Sequence, residues 1–357
     1  MSSSPLRIGI VGCGGIVQKT HLPSLLRLAP GARVAAVADP VAHGREHVAA
    51  AAGVPAGRQY DHFEPMLRDG GLDVVLVATP HHLHLPAITA ALAAGVAVVC
   101  EKPMVPDLES SRRLAADLAN AQAPFTVVHN FLFSPGLVRA RALLRSNGAE
   151  RGCYGRAQSL FAKEAPLDPR DWRSRADTGG GALNDTCYHE IYLIEALVGA
   201  PIVRVQGRIG TVYHAISADD LVLLTLEHAN GILSTVTTAW SAPGFEGSFC
   251  ELHTDLRTLR VEGRGRRLRV YDRATRAWRE EAVGITDAPG DASGHFGFWT
   301  ETLRALRVGE PLPVPPAQAL RQVEILDAAR QSSAAGGRPV DVSAARTPFA
   351  ALRPIHS

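Results

Sequence analysis

The sequence is poor in cysteine. Five occur in 357 residues, Cys13, Cys100, Cys153, Cys187 and Cys250, and no two form a Cys-x-x-Cys pair. An odd, dispersed set suits neither a disulfide framework nor a structural zinc site, and a reducing cytoplasm is the expected compartment. No apolar run is long enough to cross a bilayer. The opening Met1-Ser2-Ser3-Ser4-Pro5-Leu6-Arg7 has no apolar signal core, so no leader is expected. A surplus of one charge is missing too. Lys and Arg number 37 against 35 Asp and Glu, a formal net charge of +2 that draws in neither nucleic acid nor an anionic membrane. There is no internal repeat and no low-complexity tract. What is present is a globular composition, 46% hydrophobic and 20% charged, in a chain long enough for two domains.

Short runs rich in branched aliphatic residues recur at 6–11, 33–38, 73–78, 96–100 and 125–128. Runs this apolar are buried on both faces, as the strands of a parallel sheet are. Ala- and Leu-rich helical stretches at 86–94 and 108–121 lie between them. Such alternation predicts a doubly wound α/β sheet of Rossmann type over residues 1–128. Over 129–357 the pattern changes. A helix at 181–197 precedes strand-like segments at 203–213, 220–228, 232–240, 249–254, 258–262 and 267–271. Turn residues such as Ala229-Asn230-Gly231 join them, which predicts an α+β domain with an open, mostly antiparallel sheet and a helix on one face. Two late helices, at 295–308 and 317–332, are expected to pack back on the first domain.

The first strand opens into Gly12-Cys13-Gly14-Gly15-Ile16-Val17. A dinucleotide site needs glycine at such a turn so that the chain can bend tightly and its backbone can approach a pyrophosphate at a helix N-terminus. Gly12, Gly14, Gly15 and Ile16 are the candidates for that contact. The third position of the fingerprint is Val17, which implies a slightly displaced helix. The second strand ends in Asp39, placed to accept hydrogen bonds from ribose hydroxyls and to repel a 2′-phosphate. NAD is therefore expected over NADP, with nearby Arg45 as the residue that keeps NADP in view.

Three further segments stand in a definite order. Ala78-Thr79-Pro80-His81-His82-Leu83-His84 follows one strand, and Cys100-Glu101-Lys102-Pro103 follows the next. Asp171-Trp172-Arg173 then leads to Gly179-Gly180-Gly181-Ala182-Leu183-Asn184-Asp185-Thr186-Cys187-Tyr188-His189. With the glycine loop before them, these segments resemble the Gfo/Idh/MocA oxidoreductase family, which includes glucose–fructose oxidoreductase and inositol dehydrogenases. The resemblance covers nearly the whole chain. It implies a Rossmann domain, a C-terminal open sheet used for dimer or tetramer contacts, and a substrate cleft between them. It also implies that Lys102, Asp185 and His189 stand at the reacting carbon, and that the bond before Pro103 is often cis. The sequence departs from the family pattern at Cys187, where Gly is usual, and at Tyr192, where a second acid often stands.

These residue types suit hydride chemistry. Oxidising a carbinol needs a base for the hydroxyl proton while hydride leaves the same carbon. His189 is the expected base. Asp185, four residues earlier on a predicted helix, is its expected partner. Lys102 follows a strand at the carboxyl edge of the sheet and would hold the substrate oxygen. Trp172 and Arg173 are expected to wall the substrate site, and Thr79, Pro80, His84 and Glu101 to line the cofactor cleft beside Lys102. Substrate identity is expected to rest on loops at 167–175 and 240–249. The expected activity is hydride transfer between NAD and a sugar, cyclitol or related polyol. A redox-neutral epimerase, eliminase or glycosidase on the same fold is one alternative, and a non-catalytic ligand sensor another. His81, His82 and His84 suggest a metal, but no second ligand cluster completes a site, so none is expected. Arg257, Arg260, Arg264, Arg266, Arg267 and Arg269 nearly alternate along short strands. They read as the outward face of a sheet rather than a nucleic-acid surface, because no stacking aromatics stand among them.

Overall fold

The computed structural model describes residues 4–146, 150–163, 167–242 and 247–342. Residues 243–246 of the expected loop 240–249, residues 164–166 and the final segment 343–357 lie outside the described residues. The first sheet has the order β3-β2-β1-β4-β5-β6, and its pairings are parallel. Its strands are β1 (Leu6–Val11), β2 (Ala32–Ala38), β3 (Gln59–Tyr60), β4 (Val74–Val77), β5 (Ala97–Cys100) and β6 (Phe125–Val127). All four residues of β4 and of β5 are buried, the mark of a sheet covered by helices on both faces. Those helices include α1 (Leu22–Leu26), α2 (Ala42–Ala52), α3 (Phe63–Arg68), α4 (His84–Ala93) and α5 (Leu108–Asn120). The chain reverses direction across the sheet between β1 and β4. That is the topological switch point, where open α/β sheets leave a crevice at their carboxyl ends.

After α6 (Pro135–Ser146) the second sheet runs β14-β13-β12-β11-β7-β10-β9-β8-β15. The strands are β7 (Gly152–Leu160), β8 (Ile202–Gly210), β9 (Leu221–His228), β10 (Leu233–Ala239), β11 (Gly247–Thr254), β12 (Arg257–Glu262), β13 (Arg267–Asp272), β14 (Ala277–Glu281) and β15 (Val340–Asp341). The sheet is antiparallel except for β7 against β10. Burial alternates along β9, so one face is covered and the other open. The cover is α7 (Tyr188–Val198), every residue of which is buried. It packs so closely on β7 that a side chain at Gly155 would meet Ser234 Oγ at 2.5 Å and Ile194 Cδ1 at 2.8 Å. β7 is central, yet the sequence did not reveal it. Its Gly, Arg, Gln and Ser residues mask a strand whose other face is polar.

The late helices are α8 (His295–Val308) and α9 (Pro316–Ala334). α8 lies against α1, and α9 bridges β8 of the second sheet to α5 and β6 of the first. The arginines of β12 and β13 form an ion-pair ladder. Arg260 meets Glu251 and Glu262, Arg269 meets Glu262, and Arg267 meets Glu280. Among the described residues no helix is long and apolar enough to cross a membrane.

Candidate active site

The glycine loop forms the first wall. Gly12 has φ +92°, and a Cβ there would stand 2.6 Å from Ala78 O and 2.9 Å from Thr79 N, so only glycine lets the loop lie against the end of β4. At Gly14 and Gly15 nothing lies within 4 Å of the Cβ position, which leaves the outer side of the loop open beside exposed Ile16. The helix behind begins as a π stretch, Val17–His21, with Val17 fully buried. Asp39 sits at the end of β2, where its Oδ2 accepts from Cys13 N at 2.6 Å and its Oδ1 from Val41 N at 2.7 Å. Arg45 is committed elsewhere, to Asp61 at 2.6 Å and to the Asp39 carbonyl at 2.5 Å. Thr79 Oγ1 is buried and has no hydrogen-bond partner among the described residues, while Pro80 is half-buried beside it. An open backbone cradle, a carboxylate at the second strand and an orphaned hydroxyl together fit a dinucleotide.

Two residues expected at the cofactor have other work. His84 is fully buried, with ring nitrogens 2.8 Å from Thr79 O and 3.0 Å from Pro103 O. It clasps the two loops together and has no surface to offer a ligand. Glu101 is buried as well: Oε1 faces His21 Nε2 at 2.7 Å, and Oε2 accepts from Lys102 N at 3.0 Å. The Trp299 indole donates to His21 Nδ1 at 2.9 Å, so the His21 proton is on Nε2 and points at Glu101. Burial would raise the Glu101 pKa, but hydrogen bonds from His21 and His295 hold it well below the usual carboxylate range. Glu101 thus braces the backbone of Lys102, which precedes a cis peptide bond to Pro103.

His21, Glu101 and His295 also make a group whose ligand atoms lie within 4.8 Å of one another. The 2.7 Å between His21 Nε2 and Glu101 Oε1 is hydrogen-bond spacing. Two ligands of one tetrahedral zinc would stand ~3.3 Å apart. The histidines that first suggested a metal bind no common point. His81 Nδ1 donates to Gly179 O at 3.0 Å, His84 is the clasp, and His82 is exposed.

The residues expected to carry the chemistry do converge. The Lys102 ammonium donates to the Asp185 carbonyl at 2.6 Å and stands 3.7 Å from Asp185 Oδ1. Asp185 Oδ2 faces Lys163 at 3.6 Å and Arg173 at 3.9 Å. Burial opposes ionisation of Asp185, yet Lys102, Lys163 and Arg173 together bring its pKa down to about 2. The imidazole of His189 is buried, and its pKa is pushed well below the usual range, first by burial, then by Lys102 and Arg264. The ring is therefore neutral. Its Nδ1 meets Tyr192 OH at 2.9 Å, and Phe131 N reaches the same oxygen at 3.4 Å. Nε2 has no partner among the described residues and is not sealed from solvent.

The expected Asp185–His189 pair is not formed. Asp185 lies in a π turn, Leu183–Cys187, which breaks the regular i, i+4 stacking before α7 begins. A neutral imidazole also offers the carboxylate less attraction than three cations do. Tyr192, one helical turn on, takes the place of partner. Trp172 lines the same region, edge-on to the His81 ring at 4.5 Å and under the Arg173 guanidinium at 4.3 Å. Lys163 is the residue that sequence reasoning missed. It follows β7, and its ammonium rests 3.1 Å from the centre of the Trp240 ring. Tyr192 did leave a signal, as a departure from the motif three residues after the histidine.

Comparison with known proteins places the two domains in a family. Residues 6–129 match the model of an oxidoreductase family with an NAD-binding Rossmann fold, and residues 137–260 match the GFO/IDH/MocA C-terminal domain. Inositol 2-dehydrogenase 4 of Saccharopolyspora erythraea is 30% identical over 241 residues, 66% of this chain and 67% of that one. Several other curated relatives are likewise matched over 65% to 67% of their length. The dTDP-3,4-didehydro-2,6-dideoxy-alpha-D-glucose 3-reductase of Streptomyces violaceoruber is 28% identical over 92% of this chain and 95% of its own. Levoglucosan dehydrogenase, solved with NADH and levoglucosan, has the same fold, with a TM-score of 0.85 and 21% identity over 95% of this chain and all of that one. With both domains matched in order, the chain belongs to the Gfo/Idh/MocA family of oxidoreductases with an NAD-binding Rossmann fold.

Proposed function

We propose that this protein is an NAD-dependent dehydrogenase or reductase acting on a hydroxyl or ketone of a sugar, cyclitol or related polyol. The observation that carries the reading is the Lys102 ammonium bonded to the turn that leads into His189, whose ring is neutral and has one nitrogen unspent. The names of two relatives, an inositol dehydrogenase and a deoxysugar-nucleotide reductase, point the same way. Gly12, Gly14, Gly15, Ile16, Asp39, Thr79 and Pro80 would hold the cofactor. The Asp39 carboxylate beside the loop, with Arg45 tied to Asp61, favours NAD over NADP.

When bound, NAD accepts or returns hydride at the carbinol carbon. Lys102 holds the substrate oxygen and stabilises the negative charge that develops there. Asp185 fixes Lys102 through its carbonyl and its carboxylate. His189 takes the hydroxyl proton at Nε2, and Tyr192 fixes the ring by accepting from Nδ1. Trp172 and His81 shape the pocket beside them. The exposed Leu223 and Leu233 on the open face of the second sheet favour self-association there, as a dimer or tetramer.

The test is absorbance at the NADH band across sugars, inositols and sugar nucleotides, with Lys102→Ala and His189→Ala beside the wild type. Both variants should still bind NADH yet turn over roughly 10²–10⁴-fold more slowly. Wild-type rates in both would defeat the assignment.

A further inference from the structure

We infer that the reacting polyol carries a carboxylate, and that Lys163 and Arg173 form the subsite that receives it. This inference rests on the dehydrogenase reading of the same site and names its substrate class.

Lys163 and Arg173 both approach Asp185, but at 3.6 and 3.9 Å neither has closed a hydrogen bond with it. The bond that does form in this cluster is from Lys102, to the Asp185 carbonyl. Among the described residues, the three N–H donors of Lys163 and the five of Arg173 meet no acceptor at hydrogen-bond distance. Among the described residues, one carboxylate, Asp185, lies within 4 Å of all three cations. Asp171 is the other acid nearby, and its Oδ1 accepts from the backbone N of Arg173 at 2.7 Å.

Lys163 is held largely away from solvent, whereas the Arg173 side chain is 45% exposed. Lys163 N donates to Trp240 O at 2.8 Å, and the ammonium lies on the buried Trp240 ring. The Trp240 indole in turn donates to Thr186 Oγ1 at 2.9 Å, on the very turn that carries Asp185. The Lys163 side chain is only 22% exposed, and burial lowers its pKa. Arg173 is fixed at its backbone by Gly181 N, which donates to its carbonyl at 2.9 Å, and at its head by Trp172. Holding Lys163 partly dry beside a second cation and a shared counter-ion is costly unless an anion arrives to complete the set.

Position and charge select the anion. Lys102 and Lys163 sit on opposite oxygens of one carboxylate, so a chain of sugar length can place its reacting hydroxyl at Lys102 and its acid at Lys163 and Arg173. The planar fork of Arg173 matches a carboxylate. A phosphate dianion would overshoot the balance and press its second charge on Asp185.

The experiment uses the full-length protein with NAD⁺. Binding is measured by calorimetric titration and turnover at the NADH band. The probes are D-gluconate against D-glucitol, D-glucuronate against D-glucose, and D-glucose 6-phosphate as the phosphate arm. The acid of each pair should bind roughly 10–100-fold more tightly than its neutral partner, the range expected of charge-assisted hydrogen bonds. That ratio should fall toward one in Lys163→Gln with Arg173→Gln and recover in part with Arg173→Lys. Equal or better binding of the neutral partners, a preference that survives in the double variant, no binding of either acid at millimolar concentration, or a winning phosphate arm would each overturn the inference. If acids bind through Lys163 and Arg173 but nothing is oxidised, the subsite stands and the dehydrogenase reading falls. Brisk oxidation of neutral polyols alone gives the reverse.

Discussion

Replacing Glu190 by glutamine should stabilise the protein in mildly alkaline solution and leave it nearly unchanged at pH 4.5. Glu190 follows His189 on α7, is 2% exposed, and has an Oε2 without a hydrogen-bond partner among the described residues. Burial pushes its pKa up from the ordinary 4.5 to about 7, although Arg264 pulls the other way. The sign follows from where the proton sits. Below 4.5 both folded and unfolded chains carry it, so the carboxyl has no net effect. Between 4.5 and 7 the unfolded chain gives it up while the folded chain keeps it, and stability falls as pH rises. Above 7 the penalty is complete, at most about 3 kcal/mol for a shift of this size. Glutamine resembles the protonated form and carries no such penalty. Urea unfolding of wild type and Glu190→Gln at pH 4 and pH 8.5 should give nearly equal midpoints at the lower pH. At the higher pH the variant should be ahead by roughly 2–3 kcal/mol, with equal m-values. A gap independent of pH, or a variant less stable at pH 8.5, would refute the reasoning.

Tyr192→Phe removes the group that fixes the His189 ring, and kcat/KM should drop roughly 5–10-fold with little change in NADH binding, checked by stopped-flow. Because the His189 pKa lies well below the ordinary imidazole range, wild-type kcat/KM should stay level as pH falls through that range, and steady-state profiles will test it. Asp39→Ser should raise the KM for NAD about 10-fold or more and narrow the preference over NADP, measured with both cofactors on one substrate. His84→Ala empties a buried site and removes the one ring N–H that a neutral imidazole can donate to the Thr79 or the Pro103 carbonyl, and should cost about 2–4 kcal/mol in denaturant unfolding.

The Rossmann half was legible because its strands are buried on both faces and read as unbroken aliphatic runs. β3 escaped because it is two residues long, and β14 because four of its five residues are exposed and carry no apolar pattern. In the second sheet, alternation made β9 and β10 visible. At the site, Lys102, Asp185 and His189 could be named because their motifs lie close to fixed glycines and a proline. Lys163 could not. A lysine after a strand is normally solvated, and what removes this one from water is Trp240, 77 positions further on. No local pattern encodes that contact. It follows from the parallel pairing of β7 with β10, whose ends bring the two residues together.

The role of Asp185 turns on the same kind of non-local fact. Four-residue spacing licenses a shared face only if the helix is α throughout, and the segment that bears Asp185 is π. Had the helix been regular, the carboxylate would have faced the imidazole and favoured its charged form. A charged His189 could not accept a proton at the start of an oxidation. With Asp185 drawn instead to Lys102, Lys163 and Arg173, the imidazole stays neutral and its hydrogen bond goes to an uncharged hydroxyl. Negative charge is kept beside Lys102, Lys163 and Arg173, and away from the His189 ring. The tyrosine that departs from the family pattern completes this separation: an acid at position 192 would restore to His189 the charge that the π turn removes.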